Sequence, residues 1–167
     1  LLHARLSVID PENGAQPQFY EYGTRTYALV YNGELYNAPE LRRQLTESCP
    51  ELTFSGHSDT ELLLKALVRL GFEETLQMLN GIYAFALWCE ETRTLRMARD
   101  PIGVKPFFYT RTRRENHFLF ASEIKTLLAH PGVEAVLNRE GLCELFFLGP
   151  GRTPGCGVFE GVEELRP

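Results

Sequence analysis

Three features of the sequence bring together residue types that can hold a small charged molecule: Arg5 within an apolar run, Asn32-Gly33-Glu34, and Asp59 beside a helix start. An arginine fork pairs with a carboxylate, and an aspartate pairs with an ammonium. A side-chain amide next to a free backbone N–H can hold an oxyanion. Their sum is a pocket for a small zwitterion. Each feature also has a plainer reading that the residues alone leave open. An arginine on a strand snorkels into solvent, Asn-Gly makes a turn, and an aspartate near a helix start caps it.

The elements that must carry these residues are legible from periodicity and turn formers. Leu2, Ala4, Leu6 and Val8 alternate with more polar neighbours up to the cluster Asp10-Pro11-Glu12-Asn13-Gly14, which predicts a strand and a turn. Phe19–Tyr22 and Thr26–Tyr31, separated by Gly23, predict a hairpin that puts Asn32-Gly33 at a strand end. Asn37 as cap, Pro39 in the first turn, and Leu41 and Leu45 on one face predict a helix to about Ser48. Ser58-Asp59-Thr60-Glu61 has the capping-box pattern, with Ser58 as cap and Glu61 three residues on. It opens a helix through Leu62, Leu63, Ala66, Leu67 and Leu70 that stops at Gly71 and sets Asp59 in its first turn.

The run Ile82–Cys89 is nearly all apolar and reads as a strand covered on both faces, with Leu95–Arg99 returning beside it. Phe107–Tyr109 and Phe118–Phe120 form another extended pair, and helical patterns follow at Glu123–Leu128 and Arg139–Leu145. The Gly/Pro-rich tail from Gly149 to Gly161 resembles a linker. Antiparallel pairs with helices grouped between them predict an α+β layered architecture.

Bulk properties narrow the function. The 167 residues suffice for one domain, and 44% hydrophobic residues fill one core. A net charge of −5 and no basic block longer than Arg111-Thr112-Arg113-Arg114 argue against nucleic acid. No stretch approaches the roughly 20 apolar residues of a membrane helix, so no membrane partner is expected. Cys49, Cys89, Cys143 and Cys156 are scattered without a C-x-x-C pair and the four histidines are dispersed, so neither a metal site nor a disulfide framework is expected. Reduced thiols and a cytoplasmic location fit this usage. Cys89, on an apolar strand, reads as core packing.

Seven motifs run in order along the chain: His3–Asp10, Gly14–Pro17, Tyr31–Asn37, Ser58–Glu61, Asn80–Ala86, Arg99–Pro106 and Phe120–Lys125. They resemble the successive motifs of the class II glutamine amidotransferase domain of glutamine-hydrolysing asparagine synthetases. The resemblance covers Leu2 to about Leu128, and Phe159–Pro167 resembles the segment joining that domain to a synthetase domain. It implies an N-terminal-nucleophile hydrolase fold, a four-layer αββα sandwich with two antiparallel sheets between helical layers. Residues 1–137 would form the amidotransferase domain, and 138–167 a connector toward an ATP-dependent synthetase domain.

The activity so implied is release of ammonia from glutamine for amidation of aspartate to asparagine. In the family a cysteine at the mature N-terminus attacks the side-chain amide and forms a γ-glutamyl thioester. Its own α-amine, with a reference pKa of about 7.7–8.0, serves as base. By motif, Asn32 and the Gly33 N–H resemble the oxyanion hole. Arg5 resembles the partner of the glutamine α-carboxylate and Asp59 that of its α-ammonium, assisted by Glu34 and by backbone groups of Leu6, Ser7, Val8 and Ile9. Such a site selects the free amino acid, since protein-bound glutamine would leave Arg5 and Asp59 unpaired. Glycine at 33 would let the backbone approach the reacting carbonyl.

The resemblance implies no cofactor in this domain and places ATP and magnesium in the attached synthetase domain; a homodimer is compatible with it. The Arg99–Pro106 loop reads as a rigid turn before a functional one. The family's nucleophile precedes the His3-Ala4-Arg5 strand by a few dozen residues, so the chain is expected to be a piece of a longer enzyme, inactive alone, and no other cysteine falls in a matching motif. Two alternatives remain. Amidophosphoribosyltransferase and glucosamine-6-phosphate synthase follow the glutamine-binding arginine with an aromatic and a small hydroxylated residue, where this chain has Leu6-Ser7. A non-catalytic binding module of the same fold would have had no reason to keep Arg5, Asn32, Gly33, Glu34 and Asp59 together.

Overall fold

The structure, a computed structural model, describes Leu1 and residues 15–112, 116–149 and 153–167. The expected first strand and turn, residues 2–14, lie outside the described residues. The chain divides into two compact units, Leu1–Ala98 and Arg99–Pro167. Each contains an antiparallel sheet with helices, so the fold class is α+β, as expected.

In the first unit β1 (Gln18–Tyr22) and β2 (Arg25–Leu35) form the expected hairpin, turning at Gly23 with φ +62°. Helices α1 (Ala38–Ser48), α2 (Asp59–Arg69) and α3 (Phe72–Met78) follow, then β3 (Gly81–Cys89) and β4 (Thr94–Arg99). The sheet order is β1-β2-β3-β4. Odd-numbered residues of β2 and β3, among them Leu29, Tyr31, Leu35, Tyr83, Phe85 and Leu87, share one core cluster with Leu41 and Leu45 of α1 and Leu62 and Leu63 of α2. Each fully buried leucine there contributes about 1.5–3 kcal/mol. Ala28, Val30, Ala84 and Ala86, on the alternate face, are buried too, which explains why β3 reads as a continuous apolar run.

Three local expectations need correction. Asn32-Gly33-Glu34 neither turns nor ends the strand: Asn32 pairs with Ala84, Gly33 with Tyr83, Glu34 with Ile82, and β2 runs on to Leu35. Asn37 does not cap α1 with its side chain. Its amide instead donates to Met78 O (2.8 Å) and accepts from Asn80 N–H (3.0 Å), fastening the end of β2 to the start of β3. Ser58 does cap α2, accepting from Thr60 N–H, but Glu61 does not close a capping box. Its buried carboxylate accepts from Ser55 N–H (2.9 Å) and Gly56 N–H (3.1 Å) and pairs with Lys65 at 2.5 Å. Lys65 also donates to Thr53 O (2.7 Å). Nearly all of α2 from Thr60 to Leu67 is buried, and this network lets it carry two charges there.

In the second unit β5 (Phe108–Arg111) lies between β6 (Phe118–Ala121) and β7 (Val162–Glu164), with α4 (Ile124–Leu128), α5 (Arg139–Cys143) and a π-helical turn, Glu144–Leu148. The described part of the Gly/Pro-rich tail is not a free tether. Cys156 bridges Glu163, Phe159 bridges Leu137, and β7 pairs with β5. The Arg99–Pro106 loop has the structural role its composition suggested. Asp100, fully buried, accepts from Ile102, Val104 and Lys105 N–H. Arg99 donates to Gly103 O, Lys105 O and Leu165 O and pairs with Glu164 at 2.9 Å.

Candidate active site

Among the residues expected at the site, the structure brings Asn32, Gly33, Glu34 and Asp59 together in the first unit. Arg5, Leu6, Ser7, Val8 and Ile9 lie outside the described residues. The geometry follows from strand parity. Along a strand, N–H groups of residues two apart point to the same edge. Gln18 of β1 stands opposite Leu29, the last residue of β2 that β1 pairs. Beyond it, Tyr31 N–H donates to Gln16 Oε1 (2.6 Å) and Tyr31 O accepts from Gln16 Nε2 (2.8 Å). Further along, Leu35 N–H donates to Asp59 Oδ2 (3.0 Å). Between these two, parity turns Gly33 N–H outward on the same edge, and among the described residues no acceptor meets it.

Asn32 is half-buried beside this open donor, and its amide has no side-chain partner among the described residues. The edge thus presents a backbone N–H and a neighbouring carboxamide, the donor pair an oxyanion requires. The strands themselves also require the glycine. A Cβ on Gly33 would overlap Ile82 O and stand 2.8 Å from Tyr83 Cα and 2.9 Å from Tyr31 Cε2. A Cβ on Gly81 would overlap Glu34 O and stand 3.0 Å from Leu35 Cα. Close approach of β2 to β3 requires both glycines.

Asp59 is held at the start of α2 by the Ser58 cap and by Leu35 N–H. Burial pushes its carboxyl above the usual aspartate range and nearby Glu34 adds to this; the Leu35 N–H and Arg42 oppose it without cancelling it. Two carboxylates with one weakly acting cation form a site that gains from an ammonium, which would stabilise the charged form of Asp59. Tyr31 faces the same corner. Its hydroxyl is buried with no hydrogen-bond partner among the described residues, and burial, with Asp59 and Glu34 nearby, makes it far harder to ionise than an ordinary tyrosine.

Sequence reasoning assigned no role to Tyr31 or Gln16. Gln16 stood within the Gly14-Ala15-Gln16-Pro17 motif, the only signal that marked it. The four cysteines are free thiols, with Cys89 buried on β3. Among the described residues no group of three metal-ligating side chains gathers, and no helix is long and apolar enough to cross a membrane.

The family profile described as a glutamine amidotransferase domain matches residues 1–167. The chain is 49% identical over 165 residues to asparagine synthetase [glutamine-hydrolyzing] 3 of Bacillus subtilis (strain 168), covering 99% of this chain and 26% of that protein. It is 45% identical over 124 residues to asparagine synthetase [glutamine-hydrolyzing] 1 of the same organism, covering 74% and 18%. Among solved structures, the allosteric regulatory enzyme of purine biosynthesis superposes with a TM-score of 0.59 at 30% identity, over 68% of this chain and 25% of that one. Glutamine phosphoribosylpyrophosphate amidotransferase from B. subtilis, complexed with ADP and GMP, gives 0.58 at 29% identity, over 68% and 26%. The chain spans about a quarter of the length of the first of these curated relatives. On the match along its whole length, the chain belongs to the glutamine amidotransferase domain family.

Proposed function

We propose that this chain is the glutaminase part of a glutamine-hydrolysing asparagine synthetase, releasing ammonia from free L-glutamine for ATP-dependent amidation of aspartate. The observation that carries the reading is the Gly33 N–H on the edge of β2, met by no acceptor among the described residues, with Asn32 beside it and the Asp59 carboxylate at Leu35, two residues along the strand. Gly33 N–H and the Asn32 amide donate to the oxygen of the tetrahedral intermediate. Asp59, with Glu34, takes the α-ammonium, and Arg5 takes the α-carboxylate, with backbone groups of Leu6, Ser7, Val8 and Ile9 lining the amino acid. The nucleophile is the N-terminal cysteine of the family, and none of the four cysteines here takes its place.

The 49% identity to a glutamine-hydrolysing asparagine synthetase supports aspartate as acceptor over the phosphoribosyl acceptor named for the solved relative. In this reading residues 1–137 are the amidotransferase domain and 138–167 lead toward the synthetase domain. ATP and magnesium belong to that domain and none of the site residues above is assigned to them. The enzyme is cytoplasmic, and a homodimer is compatible with it.

The test is the complete polypeptide given aspartate, ATP and glutamine labelled at its amide nitrogen as sole nitrogen source. Labelled asparagine is expected. Glutamate without labelled asparagine would mean another acceptor, and neither product would mean a binding module of the same fold.

A further inference from the structure

The outer edge of β2 is paired in three different ways. At Leu29 the partner is the residue opposite on β1, Gln18. At Tyr31, where the next residue two back from Gln18 would continue the ladder with its backbone, Gln16 does so with its side chain. Its carboxamide accepts from Tyr31 N–H at 2.6 Å and donates to Tyr31 O at 2.8 Å, so one side chain reproduces both bonds of a ladder rung. The same Nε2 lies 3.4 Å from Thr60 Oγ1, in the first turn of α2 and adjacent to Asp59. At Leu35 the partner is Asp59 itself. Gln16 therefore ties the strand that carries Gly33 to the helix that carries Asp59.

The geometry points to Gln16 as a positioning residue for glutamine hydrolysis: its carboxamide stands in for a strand on the Tyr31 rung, orienting Gly33 N–H, a donor that no described residue covers. The inference rests on the glutaminase reading above. A backbone strand continuing past Gln18 would bond Tyr31 and then reach the Gly33 rung. Among the described residues a side chain ends the pairing one rung short, because an amide has one acceptor and one donor face to offer and no backbone beyond them. Gln16 does not touch the reacting amide; it acts through the backbone of Tyr31. The interaction it governs is made to the developing oxyanion and so belongs to the transition state.

The experiment uses the complete polypeptide with its N-terminal cysteine. Gln16→Met keeps the length and removes both hydrogen bonds; Gln16→Glu keeps the acceptor for Tyr31 N–H and removes the donor for Tyr31 O. Active sites are titrated with a diazoketone analogue of glutamine that alkylates the nucleophile, so that misfolded molecules are not counted. Glutamate release per titrated site is then measured against glutamine concentration. For both variants kcat should fall by about tenfold or more, the size expected when a donor is displaced by a fraction of an ångström. KM should change by less than about threefold, because the Ser58 cap and Leu35 N–H still hold Asp59 and ground-state binding survives loss of the long contact to Thr60.

Wild-type kcat per titrated site in either variant would overturn the inference while leaving the glutaminase reading standing. So would an equal loss confined to KM, or a protein that cannot be titrated in either variant, which would make Gln16 a residue of folding alone. A wild-type polypeptide that releases no glutamate would remove the glutaminase reading, and the inference with it.

Discussion

Gly33→Ala tests whether the glycine at the oxyanion rung is there for the strands or for the substrate. An added Cβ would stand 2.8 Å from Tyr83 Cα and 2.9 Å from Tyr31 Cε2, besides overlapping Ile82 O. Carbon pairs rest at about 3.5–4.0 Å, so β2 and β3 must part by nearly 1 Å at this rung. Two of the three obstacles are backbone and cannot rotate away. Overpacking of this kind costs about 1–3 kcal/mol. The neighbouring rungs, Asn32 with Ala84 and Glu34 with Ile82, carry the ladder bonds and would lengthen, adding about 1 kcal/mol. The sum, about 3 kcal/mol, corresponds to a fall in Tm of about 12–24 °C for a unit of this size. Gly81→Ala, with Glu34 O and Leu35 Cα in the way, should fall by a similar amount. Gly23→Ala meets nothing within 4 Å and bears only the strain of its positive φ, about 1–2 kcal/mol. Thermal unfolding of the three variants ranks them. If Gly33→Ala melts with the wild type, or above Gly23→Ala, the close approach is not what requires glycine there.

Asp59→Asn keeps an acceptor for Leu35 N–H but loses the charge, so KM for glutamine should rise about 10–100-fold, the worth of a charge-assisted hydrogen bond. Because burial raises the Asp59 pKa, wild-type affinity should weaken as pH falls through a value above that of an ordinary aspartate; KM measured across acid pH should show that limb in the wild type and not in Asp59→Asn. Glu61 behaves oppositely: burial pushes its carboxyl up, but bonds from Lys65, Ser55 and Gly56 outweigh this and hold it below the usual glutamate range. Its contribution to stability is complete above the unfolded pKa of about 4.3 and is lost as pH falls through the lower folded value. Denaturant titrations should show this acid loss flattened in Glu61→Gln, and Lys65→Met, which strands Glu61, should cost about 3–5 kcal/mol at neutral pH. Arg99→Leu removes the guanidinium from Gly103 O, Lys105 O, Leu165 O and Glu164. Hydrogen exchange at residues 162–166 should accelerate by about 100-fold or more, since stranding a buried partner costs about 3 kcal/mol, and unchanged protection would refute that anchoring role.

Elements that signal themselves through local chemistry were legible. β3 announces itself because both its faces are buried, and α2 because Ser58 caps it ahead of an apolar repeat. Helix α3 was missed: it has seven residues, begins directly after Gly71 and carries Glu73 and Glu74 in its first turn, so neither its length nor its pattern separates it from a loop. Asn32-Gly33 is a strong turn dipeptide, yet pairing with Ala84 and Tyr83 overrides it, and that pairing is set by a strand fifty residues away. Asn37 and Glu61 carry the right side chains for capping and spend them on partners that only the tertiary fold supplies. The candidate site residues that the structure gathers, Asn32, Gly33, Glu34 and Asp59, could be picked out in the sequence because carboxylate, carboxamide and glycine each have a narrow chemistry. The part played by Gln16 was not, since it depends on the register of β1 against β2 and on where that register stops.

An exposed strand edge is a template on which a second chain can extend a sheet. Among the described residues, the edge of β2 beyond β1 is such a template cut down to one rung, with Gln16 closing it on one side and Asp59 on the other. An extended peptide needs several consecutive rungs to be held by its backbone, and none can lie here without displacing a side chain that already occupies a rung. A single carbonyl oxygen, entering end-on, needs only the one. In the glutaminase reading proposed above, the same interruption that guards the sheet against joining a neighbour suits the edge to an isolated small molecule rather than to a chain.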